Sequence, residues 1–332
     1  MSSVPTMQAW LLESVDAPFQ TTSVPRPEPA AGQVLVRIIA SGVNPLDVKI
    51  RHGQAPHAKQ PLPAVLGLDL AGVVECVGGG VTAFKAGDMV YGLTGGVGGL
   101  QGSLASFAAV DADLLALKPA TLDMREAAAL PLIFITAWEG LVDRGHVQAG
   151  QKVLVQGAGG VGQMVIQIAR AHGAEVFAVD SAGKRPLIEA YSAIAIDRHQ
   201  STVEHYIQEH TGGHGFDLVY DTVGGPGLDA SFQAVRRFGH VVSCLGWGTH
   251  GLAPLSFRAA TYSGVFSLLP MLTGQGRAHH GDILRQAARL AEDGKIRPRL
   301  DPRRFGPSSI LEAYGAIEGH NASGKIVIDV PH

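Results

Sequence analysis

The stretch Gly157-Ala158-Gly159-Gly160-Val161-Gly162 decides the fold, because it fits the pattern G-x-G-x-x-G between a predicted strand and a predicted helix. The apolar strand Lys152–Gln156 precedes it, and apolar residues at helical spacing over 161–172 follow it. In this pattern the first glycine allows a tight turn, the second lets a pyrophosphate approach the backbone, and the third lets helix and strand pack closely. An acidic residue, Asp180, ends the next predicted strand. The spacing therefore predicts a dinucleotide site formed by these six residues and Asp180.

The choice between NADH and NADPH depends on the residues around Asp180. A carboxylate there accepts hydrogen bonds from the adenosine ribose and repels a 2′-phosphate, which favours NADH. Three basic residues, Lys184, Arg185 and Arg198, are close enough in sequence either to hold a 2′-phosphate or to form a solvated basic face. The predicted cofactor is therefore NAD(P)H, with NADH slightly favoured.

Strand and helix signals alternate around the stretch over residues 125–267, which predicts an α/β doubly wound parallel sheet of the Rossmann type. Residues 1–124 carry short strands separated by glycines, which is typical of a barrel-like β domain. The tail ends in a strand over 325–330, which we expect to pair with that β domain. The predicted strands of the parallel sheet are 152–156, 175–179, 193–196, 216–220 and 240–244, and the predicted helices are 161–172, 184–191, 202–211 and 226–236.

A second glycine-rich run covers residues 92–102 and follows a predicted strand. It leads into another strand rather than a helix, so no helix N-terminus is present to bind a phosphate. The run is either a mobile loop over the substrate or a structural turn.

Composition excludes several classes of protein. The chain has 332 residues, a net charge of −3 and only two cysteines, Cys76 and Cys244. The balanced charge gives no electrostatic reason to expect a nucleic acid or a membrane as partner. Two cysteines cannot form a disulfide framework, and their number fits a cytoplasmic protein. Residues 1–15 show no secretory pattern, and the longest apolar run, 127–138, is shorter than the roughly 20 residues that cross a bilayer.

Several motifs outside the nucleotide stretch resemble those of the medium-chain dehydrogenase/reductase superfamily, in its zinc-independent quinone oxidoreductase branch, which includes zeta-crystallin. The matching segments cover nearly the whole chain. They are Asn44-Pro45-Leu-Asp47-Val-Lys-Ile-Arg51-His-Gly53, Leu66-Gly67-Leu-Asp69-Leu-Ala71-Gly72 with Val77-Gly78, Ala127-Ala-Ala-Leu-Pro131 with Thr136-Ala137, and Gly324-Lys325-Ile-Val.

The resemblance implies a discontinuous GroES-like catalytic domain, residues 1–124 and 268–332, around a nucleotide domain of residues 125–267. It implies a homodimer joined through an edge strand, for which 263–269 is the candidate. It also implies that Asn44 and Thr136 lie near the nicotinamide, with Asn44 orienting substrate or ribose. Tyr91 is a candidate proton donor, with solvent as the alternative.

No metal site is predicted. Zinc alcohol dehydrogenases of the superfamily bind the metal with a cysteine and with the histidine of a Gly-His-Glu motif. By resemblance, this chain has Asn44 at the position of the cysteine and Gly67-Leu68-Asp69 at the position of the motif. Leucine cannot coordinate zinc, and without a metal the site cannot easily polarise an alcohol or a simple ketone. The predicted function is hydride transfer from NAD(P)H to a quinone or an α,β-unsaturated carbonyl. The alternatives are an enoyl-thioester or alkenal reductase, a dinucleotide-binding protein without turnover, and a zinc-type alcohol dehydrogenase.

Overall fold

The computed structural model describes residues 5–331, and within this range the chain forms two compact units. The catalytic unit combines the residues up to Leu132 with those from Leu268 onward, and the nucleotide unit is Ile133–Ser267. The first division falls after the predicted boundary at residue 124, because the helix Met124–Ala128 packs on strands of the catalytic unit. Residues 1–4 and 332, at the ends of the predicted catalytic domain, lie outside the described range.

The elements are numbered in chain order over the described residues. The strands are β1 (Thr6–Leu12), β2 (Phe19–Pro25), β3 (Gln33–Gly42), β4 (Ala64–Val65), β5 (Asp69–Val77), β6 (Met89–Leu93), β7 (Phe107–Asp111), β8 (Leu115–Leu117), β9 (Lys152–Gln156), β10 (Glu175–Asp180), β11 (Ile194–Asp197), β12 (Phe216–Asp221), β13 (Val235–Ser243), β14 (Thr261–Gly264) and β15 (Val327–Asp329). The α-helices are α1 (Pro45–Arg51), α2 (Met124–Ala128), α3 (Pro131–Trp138), α4 (Gly160–Ala171), α5 (Arg185–Ala190), α6 (Val203–Thr211), α7 (Pro226–Ala234), α8 (Ala253–Ser256), α9 (Leu269–Thr273), α10 (Arg277–Glu292) and α11 (Ile310–Glu318).

The nucleotide unit is built on a parallel sheet in the order β11-β10-β9-β12-β13-β14, which confirms the predicted doubly wound fold. The apolar strands are buried because helices follow them in sequence and pack on the sheet. From β9 the chain proceeds to β10 and β11 on one side, and then returns to β12 on the other. Ligands of such sheets bind at the carboxyl ends of the strands where the order reverses, which here is between β9 and β12.

Several predicted boundaries in the nucleotide unit differ from the structure. The helix predicted over 226–236 ends at Ala234, because the β-branched Val235 is buried and begins β13, well before the predicted strand at residue 240. The edge strand predicted over 263–269 is β14, Thr261–Gly264, and the chain leaves the sheet after it. The helix predicted from residue 184 begins at Arg185, where Pro186 occupies the first turn and a 3₁₀ turn precedes it.

The catalytic unit contains two sheets. One has the order β2-β1-β4, and the other has the order β15-β3-β5-β6-β8, with β7 also pairing with β3. Strand β15 pairs antiparallel with β3, which confirms that the tail returns to the N-terminal β domain. No helix among residues 5–331 is long and apolar enough to cross a membrane.

The glycine-rich run 92–102 is a packed turn of the catalytic unit. Val97 is fully buried, and a Cβ on Gly95 would lie 1.8 Å from the carbonyl oxygen of Gln101. The Gly102 amide donates to the carbonyl of Val65 at 3.0 Å. Of the two interpretations of this run, the structure therefore supports the structural turn.

Candidate functional site

The three motif glycines occupy the turn between β9 and α4, and their surroundings differ. Gly157 has a φ of +88°, which L-residues with a side chain rarely adopt. A Cβ on Gly162 would lie 1.9 Å from the carbonyl oxygen of Gly157, so only glycine allows this close packing of helix and strand. A Cβ on Gly159 would meet nothing within 4 Å. Gly159 therefore opens onto free space beside the turn.

The N-terminus of α4 faces this turn with backbone donors. Gly159 is the N-cap and has no side chain to satisfy the first amides, which start with Gly160 and Val161. Unpaired amides and the helix dipole create a favourable site for an anion. The open space at Gly159 and these donors fit the pyrophosphate of a dinucleotide.

Asp180 lies at the carboxyl end of β10, next to β9 in the sheet. Its carboxylate accepts hydrogen bonds from the backbone amides of Ala158 and Ser181, each at 2.7 Å. The Arg198 guanidinium lies 3.9 Å from the same carboxylate. Arg185 instead forms an exposed ion pair with Glu189, one turn along α5. Of the basic residues singled out in the sequence, Arg198 is the one that contacts Asp180.

Sequence reasoning missed the residues that end β12, the strand beside β9. Asp221 is fully buried and accepts hydrogen bonds from the amides of Val223 and Gly224 and from the Ser243 hydroxyl, the last at 2.6 Å. The Thr222 hydroxyl donates to the carbonyl of Gln156, at the end of β9, at 2.7 Å. These bonds fix the loop at the point where the strand order reverses. The signal in the sequence was the pair of polar residues that directly follows an apolar strand.

Thr136 belongs to α3 and lies within the nucleotide unit. It is nearly buried, and its hydroxyl shares a hydrogen bond of 2.8 Å with the hydroxyl of Ser267. Its carbonyl accepts a hydrogen bond from the buried Tyr220 hydroxyl. These contacts fix the backbone and the rotamer of Thr136, whose role near the nicotinamide stays a prediction.

In the catalytic unit, Asn44 sits in a buried polar cluster at the N-cap of α1. Its amide nitrogen donates to Asp69 at 2.9 Å, and its amide oxygen accepts from the Lys325 ammonium. Lys325 also donates to the carbonyl of Val43 at 2.9 Å and lies 3.8 Å from the Asp69 carboxylate. Both ends of the amide are therefore held by charged partners. Asn44 stays a predicted site residue, and Lys325 is a member of the cluster that sequence reasoning did not single out.

Burial controls the ionisation of this cluster. It raises the pKa of Asp69 to about 6, against the opposing effects of Lys325 and Asn44. It raises the pKa of Asp47, whose carboxylate accepts from the backbone N–H of Asn44 at 2.8 Å, to about 7. Burial also lowers the pKa of Lys325, whose side chain is only 9% exposed. The cluster therefore holds two carboxyl groups that gain protons near neutral pH.

Tyr91 is unsuited to donate a proton to a substrate in this structure. The residue is fully buried, and its hydroxyl donates to the carbonyl of Leu284 at 2.6 Å. Burial also raises the pKa of this hydroxyl above its usual range. The Tyr91 proton is therefore engaged by a carbonyl inside the catalytic unit and is not offered to a substrate.

The residues at the expected zinc positions do not suit a metal ion. Leu68 is fully buried and has no donor atom, and the ammonium of Lys325 lies on the amide oxygen of Asn44. A cation at that place repels a second cation. Over residues 5–331, no group of three or more His, Cys, Asp and Glu side chains is placed to hold a metal ion.

Comparison with known proteins gives matches over nearly the whole chain. Residues 30–120 match the family described as alcohol dehydrogenase GroES-like domain, and residues 191–328 match the family described as zinc-binding dehydrogenase. The NADPH-dependent alkenal/one oxidoreductase, chloroplastic, of Arabidopsis thaliana is 35% identical, over 97% of this chain and 79% of that protein. The 2-methylene-furan-3-one reductase of Solanum lycopersicum is 36% identical, over 98% of this chain and 80% of that protein.

A solved structure gives the same result for the fold. The crystal structure of an alcohol dehydrogenase superfamily protein from Novosphingobium aromaticivorans is similar to this chain with a TM-score of 0.96 and 60% sequence identity. The match covers 98% of this chain and 100% of that one.

Proposed function

The chain belongs to the zinc-independent branch of the medium-chain dehydrogenase/reductase superfamily, and we propose that it is an NAD(P)H-dependent reductase of quinones or α,β-unsaturated carbonyl compounds. One observation carries the proposal: a complete dinucleotide cradle occurs in a chain whose expected zinc positions hold Asn44 and Leu68. Acceptors of this class take up hydride without a metal, because the negative charge delocalises to oxygen.

The residues of the chain bind and orient the reactants. The cofactor supplies a hydride when bound. The amides at the start of α4 hold the pyrophosphate, and the open Gly159 lets it reach the backbone. Asp221 and Thr222 fix the loop after β12, so the cradle keeps its shape without rearrangement. Solvent supplies the proton that completes the reduction, since the Tyr91 hydroxyl is held by Leu284.

The test is consumption of NADH and NADPH, followed by absorbance at about 340 nm, with a benzoquinone and an enone as separate acceptors. We expect acceptor-dependent oxidation above the enzyme-free rate, and no loss of activity after treatment with a zinc chelator. Binding of cofactor without turnover on any quinone, enone or enoyl thioester would favour a non-catalytic dinucleotide-binding protein. Stoichiometric zinc found by elemental analysis would instead favour an alcohol dehydrogenase.

We propose NADH as the preferred cofactor. Asp180 ends β10, and an acidic residue at the end of the second strand of a dinucleotide-binding fold accepts hydrogen bonds from the adenosine ribose. The variant Asp180→Asn removes the charge and keeps an oxygen that accepts from Ala158 or Ser181. We expect it to raise the ratio of kcat/KM for NADPH over NADH roughly tenfold, since the 2′-phosphate no longer meets a like charge and Arg198 loses its carboxylate partner.

The matched control for Asp180→Asn is Asp282→Asn, which removes the charge of an exposed carboxylate that pairs with Arg285 on α10 of the catalytic unit. It should leave the cofactor ratio unchanged. An equal ratio in Asp180→Asn and in the unaltered protein would show that Asp180 does not face the ribose.

We also propose a cytoplasmic homodimer that joins through β14. This strand lies at one end of the sheet order and pairs with β13 on its other side. An edge strand offers unpaired backbone groups to a second copy. The free thiols of Cys76 and Cys244 suit a reducing compartment. Sedimentation at micromolar concentration measures the assembly, and a monomer there would contradict the dimer.

A further inference from the structure

Exposed apolar side chains follow the carboxyl ends of β12 and β13 in the nucleotide unit. Val223, just after β12, is 52% exposed, and Trp247, four residues after β13, is 60% exposed. The rings of Trp247 and Phe266 form a T-shaped contact, with ring centres 5.8 Å apart and planes at 86°. This contact braces the indole while more than half of the residue remains accessible. Such a braced and exposed tryptophan on the ligand-binding edge of a parallel sheet is a candidate contact for a flat ligand.

The position of Asp180 indicates which half of the dinucleotide lies on which strands. Asp180 ends β10, so the adenosine ribose belongs on the β10 side of the point where the strand order reverses. A dinucleotide crosses that point, so its nicotinamide half belongs on the side of β12 and β13. A hydride acceptor has to stack on or near the nicotinamide. On this arrangement, the acceptor is reduced beside Val223 and Trp247.

The chemistry of these loops restricts the acceptor further. The segments 222–225 and 244–252 contain no Asp, Glu, Lys or Arg. Their histidine, His250, donates from Nδ1 to the carboxylate of Asp229 at 2.8 Å. The loops therefore offer aromatic and aliphatic surface, and no lysine or arginine for the phosphates of a coenzyme A thioester.

We propose that Trp247 contacts the acceptor and selects planar aromatic compounds, such as naphthoquinones and aryl enones, over short aliphatic alkenals and acyl thioesters. This inference rests on the proposed reductase function and names its substrate class. The reduction of a quinone balances as one hydride from the reduced cofactor and one proton from solvent, which give the hydroquinone and the oxidised cofactor. Trp247 takes no part in proton or electron transfer and acts by stacking on the ring of the acceptor.

The test compares Trp247→Ala and Trp247→Phe on three acceptors: 1,4-naphthoquinone, methyl vinyl ketone and crotonyl-coenzyme A. We expect Trp247→Ala to raise KM for the naphthoquinone about tenfold, the order expected for loss of an aromatic contact, and to leave KM for methyl vinyl ketone unchanged. Trp247→Phe restores most of the affinity, because a phenyl ring also stacks. The matched control is Phe257→Ala, which removes an aromatic ring that is 83% exposed. Phe257 precedes β14 and so lies towards the amino ends of the strands, whereas Trp247 follows a carboxyl end.

A second readout needs no turnover. With the oxidised cofactor present, 1,4-naphthoquinone should quench tryptophan emission saturably in the unaltered protein and in Phe257→Ala. That saturable part should be absent in Trp247→Phe, which keeps Trp10 and Trp138.

The outcomes separate the two proposals. If the unaltered protein oxidises NAD(P)H with none of the acceptors, the reductase function itself is wrong. If it prefers methyl vinyl ketone or crotonyl-coenzyme A, or if Trp247→Ala weakens all acceptors equally, the reductase function stands and the selection by Trp247 is wrong. Quenching that persists in Trp247→Phe also overturns the proposed contact.

Discussion

Gly159→Asp should weaken the binding of NADH and NADPH about a thousandfold. The new carboxylate enters the space that Gly159 leaves open beside the first amides of α4. Two like charges about 4 Å apart near a protein surface repel by about 4 kcal/mol, which corresponds to roughly a thousandfold in affinity. The carboxylate also accepts hydrogen bonds from the helix amides, which then no longer serve the pyrophosphate.

The same substitution should leave the nucleotide unit folded. A Cβ at position 159 meets no atom within 4 Å, and the φ of −75° is normal for any L-residue. Aspartate is among the preferred N-cap residues, so the helix gains a partner for its amides. We expect a melting temperature equal to or slightly above that of the unaltered protein. Loss of binding would therefore report on the site and not on unfolding.

The binding measurement is a titration that follows NADH fluorescence, with Gly159→Asn as the matched control. Asparagine has nearly the same size and no charge, so it should retain more affinity than aspartate. If Gly159→Asp binds either cofactor as tightly as the unaltered protein, the pyrophosphate does not lie at this turn.

The nucleotide unit was predictable because its decisive features are local in sequence. Gly157, Gly159 and Gly162 lie within six residues, and the apolar strand before them and the amphipathic helix after them have clear periods. The errors also follow from local reasoning. Val235 continues a pattern that suits a helix, but pairing of β13 with β12 draws it into a strand. Tertiary pairing of this kind leaves no mark on the spacing of a single segment.

The polar cluster around Asn44 was not predictable, because its members are distant in sequence. Asn44 and Lys325 are 281 residues apart, and they meet only because β15 pairs with β3. The motif of residues 44–53 indicated Asn44 as a site residue. Lys325 occurred only in the motif at the end of the chain, residues 324–327, to which the sequence assigned no function. For the same reason, it offered Tyr91 as a proton donor, although the fold directs that hydroxyl to Leu284.

Lys325→Met should destabilise the protein by about 3–5 kcal/mol at pH 8, the usual effect of removing one partner from a buried ion pair. Methionine keeps the length of the side chain and loses the donor to Val43 and Asn44 and the positive charge near Asp69. The buried carboxyl group of Asp69 then has to remain as an uncompensated charge or take up a proton. Both alternatives lower the free energy of unfolding at pH 8, because Asp69 is ionised and hydrated in the unfolded chain.

The loss of stability should depend on pH, and its sign follows from the raised pKa values. Folding raises the pKa of Asp69 to about 6 and that of Asp47 to about 7, both above the ordinary value of 3.8. Between pH 4 and 7 the folded state therefore binds more protons than the unfolded state, and these two groups make the protein less stable as the pH rises. Lys325 opposes this effect by lowering both pKa values. Without it, the decline becomes steeper and extends to higher pH.

Urea unfolding of Lys325→Met at pH 5 and pH 8 tests this prediction, with Lys295→Met as the control. Lys295 is exposed, so its replacement should change the free energy of unfolding little at either pH. We expect the deficit of Lys325→Met to be clearly larger at pH 8 than at pH 5, because at pH 5 the carboxyl groups are neutral and no longer need the ammonium. A deficit equal at both pH values would mean that Lys325 acts only through its hydrogen bonds, and that its charge does not hold the Asn44 cluster together.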